Sequence, residues 1–195
     1  GAWELRFPAG WGAPERTTLE RLISWTEHAD SGVKYFSGTA TYAKDIEIAP
    51  ETLGEGAAPL LDLGVVKNLA EVRLNGQDLG VLWKPPFRVD IAGAAKPGVN
   101  RLEVRVTNLW PNRLIGDEQA PDDCKWTEGG SIAEWPSWLL EGKPRPTDGG
   151  RFAFATWKHY QKDSPLLESG LLGPVTLRAA KRVRLDDTPP RDAAR

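Results

Sequence analysis

The chain has 195 residues, enough for one domain with appended segments and a buried core. Its 25 basic and 27 acidic residues leave a formal charge of -2 with no basic stripe, which argues against nucleic acid as a partner. No run of about 18 apolar residues offers a membrane-spanning helix, and the first residues lack the charged-then-apolar layout of a signal peptide.

Methionine is absent, including at position 1, so the chain is expected to be part of a longer or processed polypeptide whose cellular address lies outside these residues. A lone Cys124 cannot form an internal disulfide. With only two histidines, His28 and His159, far apart in sequence, a zinc site is not expected, and Cys124 reads as a structural thiol.

Residues 1–32 carry Trp3, Phe7, Trp11, Leu19, Leu22, Ile23 and Trp25, and Thr17-Thr18 stand like caps before a short apolar run. This predicts a lead-in segment wrapped on the domain, with one short helical turn. The domain proper is expected over 33–185. From Tyr35 to Ile48 aromatic, Thr and Ile residues alternate as in a strand, and Pro50 to Pro59 reads as a loop.

The sharpest local signal follows. Val72 and Leu74 alternate with Glu71 and Arg73, Asn75-Gly76 supplies the two positive-φ residues of a tight type I′ hairpin, and Leu79 to Trp83 returns antiparallel. Pro85-Pro86 interrupts pairing, since proline has no amide donor, and Phe87, Val89 and Ile91 resume on one face. Leu102, Val104 and Val106 alternate with Arg101, Glu103 and Arg105 in a further half-buried strand. Past Asn108 the period is lost, and an irregular, Trp-rich insertion is expected over about 108–150. Arg151–Thr156 and Pro174–Ala179 read as two more strands, and 186–195 as a disordered tail. Short alternating strands with Gly, Pro and Asn turns predict an all-β fold, an antiparallel β-sandwich with a long Trp-rich loop insertion.

Tyr35–Tyr42, Leu61-Asp-Leu-Gly64, Ala70–Gly76, Leu79-Gly80, Pro86-Phe87, Asp90-Ile91, Gly98–Asn100 and Ser169–Leu177, in that order and spacing, resemble the sugar-binding, galactose-binding-like jelly-roll domain of glycoside hydrolases. The resemblance covers roughly Trp25 to Leu177. It extends to the N-terminal sandwich of family 2 β-galactosidases and β-glucuronidases. It is closer to the C-terminal sandwich of family 106 α-L-rhamnosidases, which commonly carry segments like Trp83-Lys-Pro-Pro-Phe87 and Thr107–Asp117. It implies a jelly-roll fold and a parent enzyme whose catalytic carboxylates sit in a separate barrel domain. Nothing in this chain reads as repeated βα units. The chain alone is therefore expected to be a non-catalytic accessory domain whose partner is that barrel. The alternatives are an autonomous carbohydrate-binding module, with a rhamnose- or galactose-containing glycan as its ligand, and a purely structural interdomain sandwich.

Candidate sugar contacts fall in two clusters. Asn108, Trp110, Asn112, Arg113 and Asp117 place an indole face and many donors and acceptors within ten residues of a strand end. They suit a pyranose, and they equally suit loop carbonyls that burial would leave unpaired. Trp157 and Tyr160 with Asp163 form the second cluster. In family 2 relatives an acidic residue shortly before a similar Ser-Gly segment reaches the neighbouring active site, and the resemblance carries that position to Asp163, across a longer insertion than the family pattern has. Trp126, Trp135 and Trp138 are platforms or core fillers on the same reasoning. Glu118, Asp122, Asp123, Glu128, Glu134 and Glu141 show no motif that singles out a glycosidase acid and nucleophile, and they read as solvated loop charges. Gly129-Gly130 and Gly149-Gly150 read as turns, since neither joins a strand to a helix as a phosphate loop does. No cofactor is implied. Structural calcium is compatible with a jelly roll, but no EF-hand spacing points to it.

Overall fold

Alternation at period two has a direct structural consequence here. The structure, a computed structural model, describes residues 1–54, 56–146 and 150–179. Its main layer is a sheet of six strands: β1 (Trp3–Arg6), β2 (Arg16–Leu19), β3 (Thr39–Ile48), β6 (Leu69–Leu74), β7 (Gln77–Leu82) and β9 (Gly98–Thr107). Their order is β2-β1-β3-β9-β6-β7, antiparallel throughout. The opposing layer is split into a three-stranded sheet of β4 (Leu60–Asp62), β8 (Arg88–Asp90) and β11 (Thr176–Arg178), and a two-stranded sheet of β5 (Val65–Lys67) and β10 (Gly170–Gly173). The chain is thus an antiparallel all-β sandwich.

The predicted hairpin is present, with Asn75 at φ 52° and Gly76 at φ 82° joining β6 to β7. Val72, Leu74, Leu102, Val104 and Val106 point into the core as their alternation requires. From the other layer Leu61, Leu63, Val66, Phe87, Ile91 and Leu171 meet them. The outward face of the six-stranded sheet is a lattice of cross-strand charges. Glu4 pairs with Arg6, Arg16 and Arg101, Arg6 with Glu103, Arg101 with Asp45, and Arg105 with Glu71.

The N-terminal segment departs from expectation. Thr17-Thr18 cap no helix; they lie in β2, paired with Leu5 and Glu4, and β1 in turn pairs with β3 through Glu4–Ala43 and Leu5–Tyr42. Trp3, Leu5 and Phe7 are core residues, so residues 1–32 build part of the sheet itself. Helical turns occur later. Ser24 accepts the amide of Thr26 at the start of a 3₁₀ turn over Trp25–Glu27, and Asp30 accepts those of Gly32 and Val33 to cap α1 (Ser31–Lys34). Trp25 stacks on Tyr42 with ring centroids 6.3 Å apart and planes 12° apart, and its Nε1 donates to Tyr42 Oη at 2.6 Å. Burial pushes the Tyr42 phenol well above its ordinary range, so it stays neutral.

Asp62 ties the three-stranded sheet together. Its Oδ1 accepts the Gly64 amide at 3.0 Å, and Oδ2 takes Arg88 Nε on β8 at 2.8 Å and Arg178 Nε on β11 at 2.9 Å. The Gly64 amide and the Arg88 guanidinium hold the Asp62 carboxyl below its usual value. A depressed folded-state pKa contributes stability that is complete above the unfolded value of about 4 and is lost as pH falls through the folded one. The urea midpoint is expected to fall more steeply on acidification below about pH 4 in the parent chain than in Asp62→Asn, which lacks this titration. Equal slopes for the two proteins would remove Asp62 from the acid response.

The segment from Asn108 to Ser169 is less irregular than its sequence suggests. It contains α2 (Pro111–Asp117), a single turn α3 (Ser137–Leu140), and isolated bridges joining Trp126 to Ile132 and Ser131 to Trp157. Arg151–Thr156, expected as a strand, forms none. The expected tail at 186–195, and Gly149 of the Gly149-Gly150 turn, lie outside the described residues. Among the described residues no helix is long and apolar enough to cross a membrane.

Candidate functional site

β9 delivers Asn108 to the end of its ladder, where its amide makes a last backbone bond to Gly38 O at 3.2 Å. The side chain takes over: Oδ1 accepts the Gly38 amide at 2.9 Å, and Nδ2 donates to Phe36 O at 2.8 Å and Ser169 Oγ at 3.2 Å. Pro111 suits the first turn of α2, where no amide is required. Ser37 Oγ accepts the Arg113 amide and donates to Leu109 O, anchoring the helix start to the β3 approach. Asn112 then pairs with Leu167 as a strand would. Its Oδ1 accepts the Leu167 amide at 2.8 Å, and its Nδ2 donates to Leu167 O at 2.7 Å and Ser169 Oγ at 2.8 Å.

One turn on, Arg113 and Asp117 form a buried i,i+4 ion pair, with Nε 3.0 Å from Oδ1 and side chains 5% and 4% exposed. The Nε–H points off the line to that oxygen, so the contact is a charge pair and not a linear hydrogen bond. Burial lowers the Arg113 pKa from its ordinary value, and Asp117 opposes that shift. The guanidinium also sits 4.7 Å from the Phe152 ring centroid. The Asp117 carboxylate accepts the amides of Phe152, at 3.1 and 3.2 Å, and Ala153, at 2.7 Å. This is why no strand forms at Arg151–Thr156: a carboxylate takes amides that a ladder would need.

Four of the sugar-contact candidates, Asn108, Asn112, Arg113 and Asp117, are therefore buried and committed to the chain's own backbone and to one another. They form a framework for the insertion. The remaining four are scattered. Trp110 is 54% exposed, with Trp11 edge-on at 6.3 Å. Trp157, half-exposed, and Tyr160 line a cavity of about 30 Å³, room for about one water molecule. Asp163 lies exposed in a turn.

Sequence reasoning missed Arg151. Its guanidinium, 7% exposed, bonds Glu118 Oε1 at 3.0 Å, Asp122 Oδ1 at 2.7 Å, and the carbonyls of Ala120 and Pro121. Lys158 joins this network through Asp122 at 2.9 Å. Asp123 pairs with Arg145, Glu134 with Lys125 and Glu141 with Lys143, so these loop acids act in ion pairs. Nothing local in the sequence marks such partners, which lie 22–36 residues apart in the first two groups. Cys124 is half-buried, and burial together with the Asp123 carboxylate pushes its thiol up, away from the reactive thiolate. Among the described residues no three His, Cys, Asp or Glu side chains gather as metal ligands.

Larger hollows lie elsewhere. One, of about 410 Å³, opens at an end of the sandwich between Lys67-Asn68, Leu109, Asn112 and Leu166–Ser169. A second, of about 520 Å³, lies on the insertion between residues 122–125 and 134–140. A third, of about 500 Å³, lies between Trp3, Glu20–Leu22 and Pro174-Val175.

With this geometry in hand, comparison with known proteins is informative. A curated protein of Formosa agariphila described as "Putative beta-glucuronidase" is 46% identical over 177 residues, which are 91% of this chain and 15% of that protein. The solved structure of a rhamnosidase from Novosphingobium sp. PP1Y is 40% identical over 92% of this chain and 14% of its own, with a TM-score of 0.71. This chain is homologous to one segment of glycoside hydrolases. It spans 14–15% of the length of these relatives. A Ruminococcus gnavus beta-glucuronidase aligns over 55% of the chain at 22% identity with a TM-score of 0.47. No family model matches.

Proposed function

We propose that this chain is a non-catalytic accessory β-sandwich of an α-L-rhamnosidase-like glycoside hydrolase, packing against a catalytic barrel and lending loop residues to its substrate pocket. The observation that carries this reading is the asymmetry of coverage: over nine-tenths of this chain aligns, at 40% identity or more, with about one-seventh of each relative. The sandwich supports it physically. The charged lattice on the six-stranded sheet is a face suited to water. The end of the sandwich exposes Leu109 and Leu167 at the 410 Å³ hollow, with exposed Trp110 next in the chain, an apolar rim of the kind that interfaces use.

The test is hydrolysis of 4-nitrophenyl α-L-rhamnopyranoside and of the corresponding β-D-galactopyranoside and β-D-glucuronide. The isolated, folded chain is expected to match buffer. Turnover well above buffer by this chain, lost on substituting any of its own carboxylates, would sink the non-catalytic reading.

A further inference from the structure

We propose that α3 and the groove beside it form an interdomain face, covered by an apolar surface with a basic rim from the part of the parent polypeptide outside this chain. The inference rests on the accessory-domain reading and adds a face to it. The turn Ser137–Leu140 reads Ser-Trp-Leu-Leu, yet it buries no residue. A helix so apolar belongs in a core, and a single turn gains little from its own hydrogen bonds. Leu140, 72% exposed, is the most exposed large apolar side chain among the described residues, and Leu139 and Trp135, in the same turn and its approach, are exposed as well. The arrangement is nevertheless held in place. Pro136 O accepts the amides of Leu139 and Leu140, Ser137 O that of Glu141 and Trp138 O that of Lys143. Phe154 braces both indoles, Trp138 edge-on at 5.4 Å and Trp135 at 6.5 Å. An ordered apolar face open to water is the mark of an interaction surface.

Charge selects the occupant. The groove of about 520 Å³ that α3 borders is lined by Asp122, Asp123 and Glu134 against Lys125 alone. Arg151 and Lys158 hold Asp122, and Arg145 holds Asp123, but each of these bases is less exposed than the acid it pairs with. The face turned to water is therefore acidic around an apolar centre. A second copy would bring the same acids to the same place, because a two-fold interface is self-complementary, and like charges across it are costly. An anionic membrane surface is disfavoured for the same reason. A protein surface whose apolar centre is ringed by Lys or Arg fits both features. Such a surface has a source in cis: the segment aligned with this chain is only 14–15% of each relative, and the rest of the polypeptide is available to cover it. The outward face of the six-stranded sheet fits less well, since Glu4, Arg6, Arg101 and Glu103 already satisfy one another there.

The experiment compares amide hydrogen exchange over residues 135–142 in the isolated chain and in the parent polypeptide. A lone turn exchanges fast, so the amides of Leu139, Leu140 and Glu141 should exchange about tenfold more slowly in the parent than in the isolated chain. Leu140→Asp in the parent should return them to the isolated-chain rates. Because Leu140 is exposed, that substitution leaves the core untouched. Glu134→Lys, which reverses one charge at the groove and keeps the apolar contacts, should raise the parent's rates by about threefold. Equal rates in the isolated chain and the parent, or parent rates that stay put with either variant, would overturn the proposal. So would an isolated chain that sediments as a dimer with these same amides protected. Failure of the accessory-domain reading looks different: it is hydrolysis by the isolated chain, whatever the exchange rates are.

Discussion

Asp117→Ala is expected to lower the unfolding free energy by about 3–5 kcal/mol, the range found when one partner of a buried ion pair is removed. Its guanidinium partner would remain 5% exposed with no counter-charge, stacked on a ring that tolerates a cation but does not replace an anion. The loss extends to the backbone. The amides of Phe152 and Ala153 would have no acceptor, and each unsatisfied buried donor costs about 1–3 kcal/mol. Asp117→Asn retains an acceptor oxygen for those amides but not the charge, so it should fall between the parent and alanine. Urea denaturation gives the ordering, and hydrogen exchange at Phe152 and Ala153 gives the location: both amides should lose protection before the amides of β9 do. A cost below about 1 kcal/mol for the alanine variant would mean that the pair does not hold the insertion.

What the sequence showed of this fold depended on how local each signal was. The β6–β7 hairpin was legible because two adjacent residues, Asn75 and Gly76, carry the whole turn, and because β6 and β9 alternate long enough to expose their period. The N-terminal strands were not. β1 and β2 are four residues each, and their partners include β3, some 38 residues away, so no window around Thr17 contains the reason it is extended. Tertiary pairing overrode a plausible helix start. Arg151–Thr156 erred in the opposite direction: it has strand alternation, but the amides of Phe152 and Ala153 bond a carboxylate more than thirty residues upstream.

The candidate site was less legible for a more general reason. Asn, Arg and Asp bring the same donors and acceptors to a sugar as to a loop carbonyl, and sequence does not say which way they face. Around Asn108–Asp117 the loop takes those of Asn108, Asn112 and Asp117, while Arg113 is held by charge. Ser169 is the node: its Oγ accepts from both Asn108 and Asn112, its amide donates to Ser24 Oγ, and its carbonyl accepts from Trp25. The Ser169-Gly170 segment is therefore a fastening between the insertion, the β10 strand and the aromatic core.

The glycine of that segment carries the second large prediction. Gly170→Ala is expected to cost about 2–5 kcal/mol, summing overpacking of about 1–3 kcal/mol and left-handed strain of about 1–2 kcal/mol. Gly170 has φ +97°, and a Cβ there would stand 2.5 Å from Tyr42 Oη and 2.7 Å from Trp25 Nε1. Neither neighbour has room to yield. Tyr42 and Trp25 are 0% and 1% exposed and stacked on each other, and the same Tyr42 Oη accepts the Leu171 amide at 3.0 Å, so moving the ring breaks a strand contact as well. Gly76→Ala separates the two contributions. Gly76 also has positive φ, at +82°, but nothing lies within 4 Å of its added Cβ. It should cost only the strain, about 1–2 kcal/mol. Thermal or urea unfolding of the two variants, followed by tryptophan fluorescence that reports on Trp25 among others, measures the difference directly. If Gly170→Ala proves no more costly than Gly76→Ala, the Trp25–Tyr42 stack is free to move, and the rigid fastening inferred at Ser169-Gly170 is wrong.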